Sequence, residues 1–313
     1  MEFVPIPEND TGIYDYEAAF QSVQGETALF WADRYEDSFL TLLEVGQTGF
    51  ALPFDNRFRF RPGELTIWAG QNGAGKSLIT SQVVVKLAKA KIATALFSFE
   101  MPPARSLERM MRQYCGHTPV LPDGSIDIDK AQRFCRWLHK RVLILKENFE
   151  INPLRVLGAT AVAAKTFGCQ HIFIDNLTCV MEDDDDYSAQ KRFVRALKQL
   201  AGQLNIHIHL VCHARKGKRE SDEIDKFSIK GSGAIADLAD NQILIQRSYA
   251  KDKARAEGGD KFAMLDNDNG DAILRIAKQR NGEWEGYVQL WYDPASKSYC
   301  TTPSRDHKTW LGD

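Results

Sequence analysis

The chain has 313 residues, 43% hydrophobic and 26% charged, with a net charge of −2. That is ordinary globular usage, which excludes wholesale disorder, a collagen-like repeat and a disulfide-stapled miniprotein. With 40 basic against 42 acidic residues, any contact with nucleic acid has to be carried by a local basic patch rather than by the field of the whole protein.

In chain order, residues 1–55 read as an arm: a polar leader, an aromatic-rich amphipathic stretch over 14–43, then a Gly/Pro-punctuated turn through Asn56. Its apolar residues, among them Phe20, Leu29, Phe30, Phe39 and Leu40, either pack on the parent domain or dock on a neighbouring subunit. From Glu64 onward, apolar and often β-branched runs alternate with segments of helical period. The runs predict strands over 65–69, 94–99, 142–145, 171–175, 207–212 and 241–246, and the intervening segments predict helices over 77–91, 103–114, 128–140, 153–167 and 188–204. Such alternation predicts an α/β core whose mainly parallel sheet is covered on both faces. Strand-like runs at 272–278 and 286–292 flank Asn281-Gly282, which predicts a C-terminal β-hairpin. The polar segments 118–127, 214–229 and 250–271 are expected to be loops. The expected organisation is therefore an arm (1–55), one large domain (56–303) and a tail (304–313).

Six cysteines form no C-x-x-C pair and lack both zinc-site spacing and a secreted disulfide framework, so reduced, mostly buried thiols are expected. No run approaches the ~20 apolar residues of a membrane span, and the acidic, Pro-containing N-terminus is unlike a signal peptide. A cytoplasmic location without a membrane partner is expected, in the host cytoplasm if the chain is phage-encoded.

The most informative motif is Gly70-Gln71-Asn72-Gly73-Ala74-Gly75-Lys76-Ser77, which fits G-x-x-x-x-G-K-[ST] between a predicted strand and a predicted helix. Glycines let successive backbone N–H groups face phosphate oxygens, and the helix start adds its positive end. Lys76 supplies a point charge for the terminal phosphates, and the Ser77 hydroxyl is the expected Mg²⁺ ligand. Asp175 ends the apolar run 171–175 and reads as the second carboxylate on the metal side, against the alternative of a helix cap. Glu100 follows the strand after the phosphate-loop helix, where a residue that orients or deprotonates water belongs; the alternative is a solvated strand-end Glu. His213 closes the run beginning at Ile206, at a strand end placed to touch a γ-phosphate, while His207 and His209 read as alternating strand side chains.

With these residues and the blocks Ser98-Phe99-Glu100-Met101, Phe173-Ile174-Asp175-Asn176-Leu177, His213-Ala214-Arg215-Lys216, Gly231-Ser232-Gly233-Ala234 and Lys278-Gln279-Arg280-Asn281-Gly282, the chain resembles the hexameric replicative DNA helicases of the DnaB type, including the phage and mitochondrial Twinkle-like proteins. The resemblance implies a RecA-like core binding ATP, or another NTP or dNTP, with Mg²⁺. It also implies a homo-oligomeric ring, six-membered in that family, around single-stranded DNA, and leaves room for a separate primase or polymerase partner. By the same resemblance Lys278 and Arg280 act on a neighbour's nucleotide, Arg280 as an arginine finger. Arg247 and Tyr292 would clamp the nucleotide base. Arg215, Lys216, Lys218, Lys230, Gly231, Ser232 and Gly233 would grip DNA phosphates, although Lys218 reads equally as part of a solvated loop. The acidic run 182–186 departs from that picture, because a like-charged loop repels DNA. Fifty-five residues ahead of the core are too few for a primase-like domain. The rival readings are a RecA/RadA-like recombinase ATPase and a nucleotide-switched helicase accessory protein.

Overall fold

Successive residues of the central strands are apolar on both sides, so neither face of their sheet suits water. In Leu65–Gly70, the side chains of Leu65, Ile67 and Ala69 join one core cluster and Trp68 joins the other. The computed structural model describes residues 49–121, 123–146, 148–181, 183, 185–214, 233–257 and 269–305. In chain order the elements are β1 (Phe50–Leu52), β2 (Asp55–Phe60), β3 (Leu65–Gly70), α1 (Lys76–Lys89), β4 (Thr94–Ser98), α2 (Pro103–Cys115), α3 (Ile128–Leu138), β5 (Val142–Ile144), α4 (Pro153–Phe167) and β6 (His171–Asp175). There follow α5 (Leu177–Val180), α6 (Tyr187–Leu204), β7 (His207–His213), α7 (Gly233–Leu238), β8 (Asn241–Arg247), α8 (Tyr249–Glu257), β9 (Ala272–Gln279), β10 (Gly286–Asp293) and β11 (Ser298–Cys300).

Nine strands form one sheet in the order β11-β10-β9-β8-β3-β7-β6-β4-β5. From β8 to β5 the pairings are parallel, and β9, β10 and β11 extend the sheet by antiparallel pairing. One core cluster lies under α4, α6 and α7; the other lies under α1, α2, α3 and the β1–β2 hairpin. Two helices show their end signals plainly. Asn152 accepts from the Arg155 amide at 2.9 Å ahead of Pro153, and Gly168 ends α4 at φ 67°; Asp186 accepts from the Ala189 amide at 2.8 Å to start α6. All three are end signals written in the sequence.

Two expectations are corrected. The segment 250–271, expected as a loop, begins with α8. Its inward residues include Lys251, which is buried and ion-paired with Asp271 at 3.2 Å, so polar anchoring replaces the apolar stripe that would have announced a helix. The turn expected through Asn56 is a hairpin instead: β2 alternates arginines with Phe58 and Phe60, both fully buried, and pairs with β1. Gly49 opens this hairpin at φ 101°, where a Cβ would lie 2.4 Å from the Phe60 carbonyl oxygen. The hairpin crosses the expected boundary at residue 55 and falls in the same unit as the sheet, which begins at Gly49. The remainder of the arm lies outside the described residues, as do 306–313 of the tail. Among the cysteines, Cys115, Cys169, Cys212 and Cys300 are buried and form no disulfide.

Beneath the hairpin, His171, His207 and His209 are packed together. His209 stacks on Phe173 with ring centroids 3.8 Å apart, and His207 and His171 lie 4.5 and 5.3 Å from it. Their tautomers are fixed by their partners. Trp68 Nε1 donates to His209 Nδ1 at 3.2 Å, so His209 Nε2 carries the hydrogen directed at His171 Nδ1, 3.0 Å away. His207 Nδ1 donates to the Arg61 carbonyl at 2.6 Å, leaving Nε2 to accept from the Thr66 hydroxyl at 2.8 Å. Burial holds all three below the usual imidazole range, His207 at about 4.

Candidate nucleotide-binding site

β3 ends at Gly70 and α1 begins at Lys76, and the connection between them turns over the carboxyl ends of the parallel strands. Gly73 and Gly75 have φ of 76° and 91°, the left-handed region that glycine adopts without strain. A Cβ on Gly70 would lie 2.6 Å from the Ile245 carbonyl oxygen, so only glycine lets the loop leave the sheet here. No side chain caps the start of α1, which leaves first-turn amides for an anion. Lys76 Nζ donates to the carbonyls of Gly70 and Gln71, both at 2.9 Å, and approaches His213 Nδ1 at 3.3 Å. Burial lowers the proton affinity of this amine; Asp175 and Glu100 oppose that.

Asp175, at the tip of β6, is 5% exposed. Burial raises its pKa, a hydrogen bond from Ser77 opposes the shift, and its Oδ1 has no partner among the described residues. Glu100 lies two residues beyond β4, which stops at Ser98 rather than at the expected Phe99. Asn176 Nδ2 donates to Glu100 Oε1 and lies 3.0 Å from His213 Nε2, which is 3.3 Å from Glu100 Oε1. Lys76 Nζ and Asn176 Nδ2 are both donors, so His213 faces a nitrogen donor at each ring nitrogen, with Glu100 Oε1 beside Nε2. Lys76, His213 and Glu100 thus form a continuous polar chain across the strand ends.

The structure brings Gly70 to Ser77, Glu100, Asp175 and His213 to this one place. Arg247, at the same end of β8, pairs with Asp252 at 2.7 Å. Tyr292 packs on Tyr299 at 5.5 Å, and the Tyr299 hydroxyl borders Gly75. Lys278 and Arg280 are elsewhere: Lys278 pairs with Gln242 in the β8–β9 register, near the amino ends of the parallel strands. Arg215, Lys216, Lys218, Lys230, Gly231 and Ser232 lie outside the described residues; Gly233 opens α7. Acidic-run residues 182 and 184 also lie outside them. Three contributors escaped sequence reasoning. Asn176 holds Glu100. Tyr249 donates its hydroxyl to Gln71 Oε1 at 2.5 Å. Arg109 turns inward from α2 to Met101 Sδ at 3.0 Å, its charge felt by Asp175.

A phosphate loop at the end of a central parallel strand, with a buried carboxylate at the tip of the strand two places away, defines a P-loop nucleotide-binding domain. The profile of the DnaB-like helicase C-terminal domain family matches residues 47–300, and the chain belongs to that family. It is 24% identical over 219 residues to the DNA helicase/primase of Enterobacteria phage T3, covering 63% of this chain and 38% of that protein. The chain thus spans well under half the length of that curated relative. Among solved structures it matches an ATPase domain with a TM-score of 0.69 at 16% identity, covering 85% of this chain and 97% of that one. It also matches a DnaB-like replicative helicase, described with its interactions with primase, with a TM-score of 0.67 at 14% identity, covering 91% and 70%. These likenesses establish the RecA-like fold. Among the described residues no helix is long and apolar enough to cross a membrane.

Proposed function

We propose that the chain is the motor of a ring-forming DNA helicase that moves on single-stranded DNA, with ATP or another nucleoside triphosphate hydrolysed between neighbouring subunits. One observation carries this reading. β8 runs seven residues from Asn241, beside Gln279 and Lys278, to Arg247, beside the phosphate loop, a span of about 20 Å. Lys278 and Arg280 are held at the far end, so these cations meet a triphosphate only on another copy.

Lys76 and the first-turn amides of α1 would bind the phosphates. Ser77 and Asp175 fit a divalent cation, since the buried Asp175 Oδ1 lacks a partner beside the Ser77 hydroxyl. Bound Mg²⁺ would neutralise charge on the phosphate oxygens. Glu100, held by Asn176 and His213, would orient and deprotonate the attacking water, and His213 would relay the state of the phosphate site to Glu100 through Lys76. Arg247 and Tyr292 would hold the base. Arg280 in trans would stabilise charge on the transferring phosphoryl group. The grip on DNA would fall to Arg215, Lys216, Lys218, Lys230 and Gly231 to Gly233. Residues 1–48 would serve as a docking arm, a primase or polymerase as a separate partner, and the cytoplasm as the compartment.

Mixing two inactive proteins tests the shared site. Lys76→Ala and Arg280→Ala should each lose turnover, and their mixture should regain hydrolysis, because some interfaces then join an intact phosphate loop to an intact Arg280. Wild-type hydrolysis by Arg280→Ala alone would overturn the reading.

A further inference from the structure

The end of the sheet remote from the phosphate loop holds a carboxylate that nothing above uses. Asp240, between α7 and β8, is 1% exposed. Its Oδ2 accepts from the Leu65 amide at 2.8 Å and from Lys198 Nζ, and its Oδ1 accepts from Arg280 Nη1 at 3.3 Å. The main chains are joined as well, Arg280 N donating to the Asp240 carbonyl at 2.9 Å. Arg280 Nη2 reaches the Asp237 carbonyl at 3.2 Å, and Lys278 Nζ reaches the carbonyls of Ala236 and Asp237 at 3.2 and 3.1 Å. On the other side Asn281 donates to Glu64 Oε1 at 2.8 Å.

Lys198 already balances the buried charge of Asp240, and Leu65 and Lys198 already satisfy its Oδ2, so Arg280 is a second cation on this carboxylate, facing its other oxygen. What the contact does is fix one edge of the guanidinium. The Arg280 side chain remains 49% exposed. Of its five N–H donors, two have partners among the described residues, and these lie on Asp240 and Asp237. A planar fork held along one edge presents its remaining donors in a fixed direction, which a flexible side chain in water does not.

We propose that Asp240 is the positioning residue for Arg280: its carboxylate, with the Asp237 carbonyl, aims the guanidinium outward from the sheet end toward the nucleotide of a neighbouring copy. The inference rests on the trans reading of Arg280 given above. Misaiming a group that acts on a transition state lowers kcat while leaving nucleotide affinity, set by the phosphate loop, unchanged.

The test uses steady-state hydrolysis by the assembled full chain. Asp240→Asn keeps the shape and an acceptor for the Leu65 amide but removes the charge facing Arg280. Its kcat should fall on the order of a hundredfold with KM unchanged. The double variant with Arg280→Ala should be no slower than Arg280→Ala alone. A folded Asp240→Asn protein with wild-type kcat, or a double variant much slower than Arg280→Ala, would overturn the proposal and leave Asp240 a structural ion pair. If Asp240→Asn does not fold, Arg280→Lys reads the same contact from the other partner. An ammonium that spans Asp240 and Asp237 keeps one donor to face outward where the guanidinium keeps three, and no fixed fork, so kcat should drop toward the Arg280→Ala level, and near-wild-type kcat would overturn the proposal. The two ideas fail differently. Fast Arg280→Ala refutes the trans site itself, whereas slow Arg280→Ala beside fast Asp240→Asn refutes the positioning alone.

Discussion

Lys76 and Glu100 stand at opposite ends of one polar chain through His213, and single substitutions separate their work. Lys76→Ala should lose nucleotide affinity together with turnover. Glu100→Gln should keep affinity and slow hydrolysis by about 10²–10⁴-fold, since on the proposed reading the missing group would act on water rather than on phosphate. Titration with nucleotide and measurement of phosphate release distinguish the two, and wild-type turnover by Glu100→Gln would remove that residue from the chemistry. At this scale the phosphate loop, Asp175, Glu100 and His213 were legible because each ends a predicted strand or opens a predicted helix. Asn176 was not, because an Asn after a strand reads as a helix cap, and it is one: its Oδ1 accepts from the Cys179 amide while its Nδ2 holds Glu100. Arg109 was hidden among three arginines of α2. Spacing cannot tell that Arg112 pairs with Glu108 on the surface while Arg109 turns inward.

Among the elements, β6 and β7 carry the three buried histidines, and burial disfavours an added proton on each. Each has a folded-state pKa below its unfolded value of 6.5. The unfolded chain therefore takes up protons first as pH falls. Stability should be complete above about pH 6.5 and should decline from there toward pH 4, where His207 itself titrates. With three such groups the slope approaches about 4 kcal/mol per pH unit. Urea unfolding at a series of pH values measures it, and a flat profile between pH 7 and 5.5 would show that the imidazoles are not held neutral. The strand positions of these histidines were readable from their alternation, but their clustering was not, because it depends on β6 and β7 being neighbours. α8 was unreadable for a different reason: its inward face is anchored by Lys251 and Arg255 on Asp271, which gives no apolar period to detect.

For the whole molecule, the near-balanced charge would make the proposed DNA binding a matter of local cations. On single strands log K should fall with log salt at a slope of about −0.7 per phosphate neutralised. Replacing Lys216 and Lys230 with Ala should weaken binding about equally across base sequences and make that slope shallower, as fluorescence titration at several salt concentrations would record. An unchanged slope would take the grip away from these positions. On the shared-site reading proposed above, the distance between the phosphate loop and Arg280, about 20 Å along β8, would also govern stoichiometry. A chain that carries one half of a site at each end of its sheet is a polar building block. Any open stack of such blocks strands one phosphate loop at its head and one guanidinium at its tail, while a closed ring strands neither. Specific activity per chain should therefore rise as assemblies lengthen and reach its ceiling only at closure, in which case the circle would be a condition of full catalysis as well as a way to hold a strand.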